Sequence, residues 1–108
     1  MRGELLKGHL DLILLAVLAQ GPAYGYGLMR TLRDRTSGML DLSEGTIYPV
    51  LHRLEQAGFL ESRVMTVRTR RRRLYRLTPT GHREMNRLKR EWEQFSLGVE
   101  RLIGAESP

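Results

Sequence analysis

The stretch Ser43-Glu44-Gly45-Thr46-Ile47-Tyr48-Pro49-Val50-Leu51-His52-Arg53-Leu54-Glu55-Gln56-Ala57-Gly58 decides the fold, because it reads as one helix with a core face and a face left for a partner. Ile47, Val50, Leu51 and Leu54 recur at i, i+3, i+4 and i+7, the spacing of an amphipathic helix with one buried stripe. Ser43 is suited to cap the start, its hydroxyl accepting from an unpaired first-turn N–H. Gly58 is suited to close the end in the left-handed conformation. At about 100° per residue, the opposite face carries Gly45, Thr46, Tyr48, Pro49, His52, Arg53 and Gln56. Hydrogen-bonding groups, one ring and one formal charge suit the reading of base edges, although an ordinary solvated face has the same spacing. Pro49 lacks a donor and crowds the carbonyl four residues back, so the first turn is expected to be tightened or kinked.

Downstream, 59–67 and 73–78 are rich in aromatic and β-branched residues and read as two strands. Residues 68–72 form the hairpin tip, with four arginines (Arg68, Arg70, Arg71 and Arg72) and no glycine or proline to specify a turn. Between Glu61 and Arg76 there are seven arginines and one glutamate, while the rest of the chain balances eleven basic against eleven acidic residues. The whole net charge of +6 therefore sits in one short segment, as expected of an element that meets phosphates. The preference for arginine, sixteen against two lysines, does not explain that clustering. Arginines at a hairpin tip suit phosphate oxygens or a narrow minor groove.

Upstream, residues 1–8 read as an arm in which Leu5 and Leu6 are apolar enough to dock. His9 to Ala19 reads as a helix with a wide apolar stripe of Leu10, Ile13, Leu14, Val17 and Leu18, stopped by Gly21-Pro22. A second helix is expected from Tyr24 to Thr36, burying Leu28, Met29 and Leu32. Gly25 and Gly27 each cost it roughly 1 kcal/mol against alanine, which points to close approach of another helix or of a DNA phosphate. After Ser37-Gly38, Met39 to Leu42 is expected to pair as a minimal strand. The link between the second and third helices is longer than a simple helix-turn-helix uses, which indicates a winged variant.

Thr78-Pro79 opens the last element as a cap followed by proline at the first helical position. Met85, Leu88, Trp92, Phe95, Val99 and Leu102 then recur at spacings of three and four, a heptad seam. A helix from Pro79 to Ile103 is roughly 37 Å long, more than a body of about 75 residues covers. A symmetric dimer is the simplest use of that edge, and packing on the first helix is the alternative. Trp92, a lone tryptophan in that seam, reads as interface core.

These readings define a mostly α chain with a small β-wing (α+β): a winged helix-turn-helix with a long C-terminal dimerisation helix. The division expected is 1–78 for the DNA-binding domain with its arm and 79–108 for the dimerisation helix and tail. A chain of 108 residues is one ordinary domain with little room for a deep active site. It has no cysteine, and His9, His52 and His82 show no metal-ligand spacing, so no metal or cofactor is expected. The apolar run from Leu12 to Ala19 is too short to span a bilayer and lacks a cleavage-type flank, which leaves the cytoplasm as the expected location. No nucleophile beside a base, glycine-rich phosphate loop or carboxylate pair suggests an enzyme.

Several motifs also resemble the PadR family of bacterial transcriptional regulators. They are Tyr24-Gly25-Tyr26-Gly27-Leu28, the run from Glu44 through Gly45-Thr46-Ile47-Tyr48-Pro49 to Gly58, Arg71-Arg72-Arg73-Leu74-Tyr75-Arg76-Leu77-Thr78, and Thr80-Gly81. The resemblance spans roughly residues 5–102. It implies a winged helix-turn-helix with a C-terminal dimerisation helix, usually a repressor relieved by a small molecule or stress. It also implies that Thr46, Tyr48 and His52 meet the major groove and that Arg70 to Arg72 lie near the flanking minor groove or backbone. Family members often carry a glycine at the wing tip where this chain has Thr69 and Arg70, and the C-terminal helix here is short, as in the smaller subfamily. Ser43, Arg53, Arg68 and Tyr24 complete the candidate DNA-binding set. The resemblance also implies that Trp92 can line an effector pocket between subunits, so double-stranded DNA with an inverted-repeat operator, a second copy of the chain and a small planar hydrophobic effector are the expected partners, with no membrane. The competing reading is a winged-helix protein-interaction module without specific DNA binding, against which the arginine-rich wing argues.

Overall fold

Four helices and a three-stranded antiparallel sheet make up residues 8–104, the part of the chain that the computed structural model describes. The expected arm, except Gly8, and the tail after Gly104 lie outside the described residues. In chain order the elements are α1 (Leu10–Leu18), β1 (Ala23–Tyr24), α2 (Gly25–Arg35), α3 (Glu44–Gln56), β2 (Leu60–Val67), β3 (Arg70–Leu77) and α4 (Pro79–Ile103).

The core is a leucine cluster assembled from three helix faces. Leu10, Leu14, Leu15 and Leu18 of α1 meet Leu28 and Leu32 of α2 and Ile47, Leu51 and Leu54 of α3, and Leu40, Leu60 and Tyr75 close it. Ile13, Val17 and Met29, expected inside, sit half-buried at its edge, and Leu15 goes in instead. Burying a leucine or isoleucine side chain contributes about 1.5–3 kcal/mol, so this cluster is the main source of stability.

The bounds of α3 follow its sequence signals. Gly58 has φ +84°, and the Gly58 N–H donates to the Glu55 carbonyl at 3.0 Å and the Phe59 N–H to that of Leu54 at 3.0 Å, which closes the helix. Pro49 leaves the helix unbroken. The first turn is tightened, its Ser43 carbonyl accepting from both Thr46 and Ile47 N–H at 3.1 Å. Ser43 stands at the N-cap with extended backbone, but its side chain makes no capping bond to the backbone. Its hydroxyl is 3.3 Å from that of Thr46 instead, since a hydroxyl one turn on competes for it.

Two expectations about strands are corrected. Met39 to Leu42 forms no strand, because its first half is tied back to the end of α2: Met39 N–H donates to the Thr36 carbonyl at 3.0 Å and Leu40 N–H to the Thr36 hydroxyl at 3.0 Å. Leu40 is thereby turned into the core. The third strand is β1, which pairs Ala23 with Tyr75 and Tyr24 with Leu74, giving the order β1-β3-β2. The hairpin is also longer than expected. β3 starts at Arg70, so Arg70 to Arg72 are strand residues opposite Val67, Thr66 and Met65, and the tip shrinks to Arg68 and Thr69. Arg68 takes φ +59° there, where a glycine is the easier occupant.

α4 spans the predicted residues, opened by Thr78 and closed by Gly104 at φ +79°. The Thr78 hydroxyl accepts from Gly81 N–H at 3.0 Å and donates to the Gly58 carbonyl at 2.7 Å, tying the start of α4 to the end of α3. Gly81 is required by this junction: a Cβ there would lie 2.0 Å from the Phe59 carbonyl oxygen. The radius of gyration is 15.6 Å against about 13 Å for a compact domain of this size, because the far half of α4 projects from the body.

Candidate nucleic-acid interface

One side of the molecule gathers Tyr48 of α3, the start of α2 and residues 71–75 of β3. Between them runs an open cleft of about 350 Å³. Tyr24, Gly25 and Tyr26 form one wall, Tyr48 the floor, and Arg71, Arg72 and Arg73 the other wall beside Tyr75. Register explains the wall. Tyr24 pairs with Leu74, so the start of α2 is fixed to β3 two residues from Arg72. Gly25 makes room for the Tyr48 side chain reaching over from α3, since a Cβ there would lie 2.2 Å from the Tyr48 hydroxyl oxygen. The expectation of a close helix approach holds at Gly25, whereas a Cβ at Gly27 would meet nothing.

Of the predicted DNA-facing residues, the cleft brings Tyr24, Tyr48, Arg71 and Arg72 together. Ser43 and His52 are exposed and Thr46 is half-buried on the same helix as Tyr48. Arg68 and Arg70 are exposed at the wing end. Arg53 stands apart from this group. At about 100° per residue it points roughly 140° around the helix from Tyr48, and its guanidinium grips both carboxylate oxygens of Asp11 on α1. That hydrogen bond raises the guanidinium pKa against the lowering effect of burial, and it ties Arg53 of α3 to Asp11 of α1.

The wing arginines differ in their partners. Arg76 is paired with Glu61 at 2.7 Å, its cross-strand neighbour, and Arg73 donates to Ser62, which donates to Glu55. Arg72 lies over the ring of Tyr26. Among the described residues, Arg63, Arg68, Arg70 and Arg71 form no ion pair, so their charge is uncompensated. Burial pushes the Tyr75 hydroxyl pKa up, with Tyr48 and Glu55 nearby adding to it and Arg73 opposing it. Tyr26, Arg73 and Tyr75 stand in the quoted motifs but sequence reasoning did not assign them to the site; the spacing of Tyr24 and Tyr26 across Gly25 was the available signal.

The predicted seam on α4 splits in two. Met85 and Leu88 are half-buried against the chain's own core, so this part takes the intramolecular alternative. Trp92, Phe95, Val99 and Leu102 are 43%, 61%, 36% and 87% exposed. Trp92 meets His9 edge to face at 5.0 Å, and with Phe95 it lines a cleft of about 310 Å³ bordered by Asp11 and Arg53. Among the described residues no helix is long and apolar enough to cross a membrane, and no group of three His, Asp or Glu is placed to hold a metal ion.

Helices packed under a three-stranded sheet, with an arginine-bearing hairpin after the third helix and a long last helix, define a winged-helix chain of the regulator class. The chain belongs to the PadR-like family of transcriptional regulators, whose family model matches residues 14–87. Its fold is similar to that of a transcriptional regulator from Clostridium thermocellum, with a TM-score of 0.85 and 30% identity over 94% of this chain and 96% of that one. A PadR family regulator from Eggerthella lenta gives a TM-score of 0.83 and 32% identity over 95% and 88%. The transcriptional regulator Rv3488 of Mycobacterium tuberculosis is 41% identical over 66 residues, which are 61% of this chain and 59% of that protein. The family's members are regulators of transcription and not enzymes.

Proposed function

We propose that this PadR-family regulator is a sequence-specific DNA-binding homodimer that acts in the cytoplasm as a repressor. The observation that carries the reading is the shared cleft, where Tyr48 of α3 and Arg71 and Arg72 of β3, neither arginine in an ion pair among the described residues, line one surface. Thr46, Tyr48 and His52 enter the major groove. Tyr24 and Ser43 border the backbone, and Arg68, Arg70, Arg71 and Arg72 take the flanking phosphates or minor groove. Residues 1–78 form the DNA-binding unit and 79–108 the dimerisation unit, with Trp92, Phe95, Val99 and Leu102 at the interface and Met85 and Leu88 rooting the helix on its own domain. The cleft beside Trp92 takes a small planar hydrophobic effector or transmits a stress signal that relieves repression.

Footprinting on the chain's own promoter tests this. An inverted repeat with half-sites about one helical turn, near 34 Å, apart is expected. Protection without sequence preference contradicts the reading and moves the chain toward a protein-interaction role.

A further inference from the structure

The arginines of β3 are made unequal by a side chain that carries no charge. The Arg72 guanidinium carbon lies 4.4 Å from the centre of the Tyr26 ring. Tyr26 is itself stacked on Tyr24, with ring centres 5.6 Å apart and planes within 5° of parallel. Tyr24 is held to Leu74 by strand pairing, and Leu74 is two residues from Arg72, on the same face of β3. Strand, ring, ring and cation therefore close a circuit that fixes one arginine at the base of the wing.

The choice of partner matters. Glu61 neutralises Arg76 and occupies its donors. A ring face attracts the guanidinium through its quadrupole, yet leaves the charge in place and the N–H edges open to a bidentate anion. A long side chain already held in one arrangement also loses less freedom when it meets a phosphate. Arg70 and Arg71, nearer the tip, have no such support among the described residues.

We infer that Tyr26 is a positioning residue for DNA binding, whose ring holds Arg72 ordered and uncompensated for a backbone phosphate. The inference rests on the DNA-binding reading above and adds to it a residue that makes its contribution through another.

Side-chain 15N relaxation on the full chain without DNA is the first test. The Arg72 Nε–H is more ordered than those of Arg70 and Arg71, and Tyr26→Leu removes the difference. Equal order in the wild-type chain overturns the inference without recourse to any variant. The second test is affinity for a promoter duplex of about 40 base pairs, long enough for two half-sites. Tyr26→Leu weakens binding about three- to tenfold, and Tyr26→Phe, which keeps the ring, recovers most of the loss. In an Arg72→Ala background Tyr26→Leu adds no further loss. A loss that persists there, or that Tyr26→Phe fails to recover, means that Tyr26 acts directly or through the fold, and overturns the inference. A wild-type chain that ignores the duplex overturns the DNA-binding reading and this inference together. Normal wild-type binding with an unaltered Tyr26→Leu overturns the inference alone.

Discussion

Two surfaces of this chain lack partners within the described residues, and they differ in kind. The wing presents Arg68, Arg70 and Arg71 without counter-charges, while the far half of α4 presents Phe95, Leu102 and Ile103 at 61%, 87% and 73% exposure. A charged surface binds by releasing counterions and weakens with salt. An apolar surface binds by leaving water and is strengthened by many salts. The difference teaches that the two proposed partnerships, with DNA and with a second copy, answer to different variables and can be separated.

The largest effect is expected from the apolar surface. Phe95→Asp combined with Leu102→Asp leaves each chain folded, since neither side chain touches the core, but prevents pairing. Losing the linked second reading helix then costs about 100-fold or more in operator affinity, measured by gel shift. An unchanged affinity in a proven monomer breaks the comparison. Leu88, half-buried on the same stripe, should behave oppositely, with Leu88→Asp lowering thermal stability of the chain itself.

Next comes the junction that holds the two surfaces at their relative positions. Gly81→Ala drives a methyl into the Phe59 carbonyl and destabilises the fold by about 2–4 kcal/mol, read from the urea midpoint. A midpoint within error of wild type contradicts the close approach.

On the charged surface the two kinds of contact are expected to part. Tyr48→Ala weakens operator binding more than binding to random duplex, whereas Arg71→Ala weakens both and reduces the salt slope by about 1 per subunit. Gly25→Ala sharpens this. It leaves the Tyr48 ring present but displaced, and should reproduce the specificity loss of Tyr48→Ala. Identical losses on both duplexes for both residues contradict the division of roles.

The smallest effect lies at the wing tip. Arg68→Gly relieves the left-handed backbone at φ +59° and stabilises the fold by about 1 kcal/mol in thermal melts, while removing one uncompensated charge.

How far the sequence spoke for itself depended on the range of the interaction. The limits of α3 and the start of α4 were legible because Gly58, the Thr78-Pro79 cap and the spacing of apolar residues act within a few positions. The wing was legible as a hairpin but not in its tip, since no glycine or proline marks the turn between Val67 and Arg70. β1 was missed because two residues acquire strand character only from Tyr75 and Leu74, some fifty positions away. A separation of 42 positions likewise hid the hold of Asp11 on Arg53, which helical spacing alone assigned to the reading face. The seam on α4 was visible as a stripe, but periodicity records that a face is apolar and not what covers it. Met85 and Leu88 are covered from within, and Phe95 and Leu102 are not.

Sedimentation velocity of the full chain, alone and with a promoter duplex of about 40 base pairs at low and high salt, tests the central claim most directly. The account predicts a dimer at both salt concentrations that carries the duplex at low salt and releases it at high salt. With about five phosphates met per subunit, log affinity falls against log salt with a slope of roughly −9 per dimer. A monomer, or a dimer whose sedimentation the duplex never changes, contradicts it.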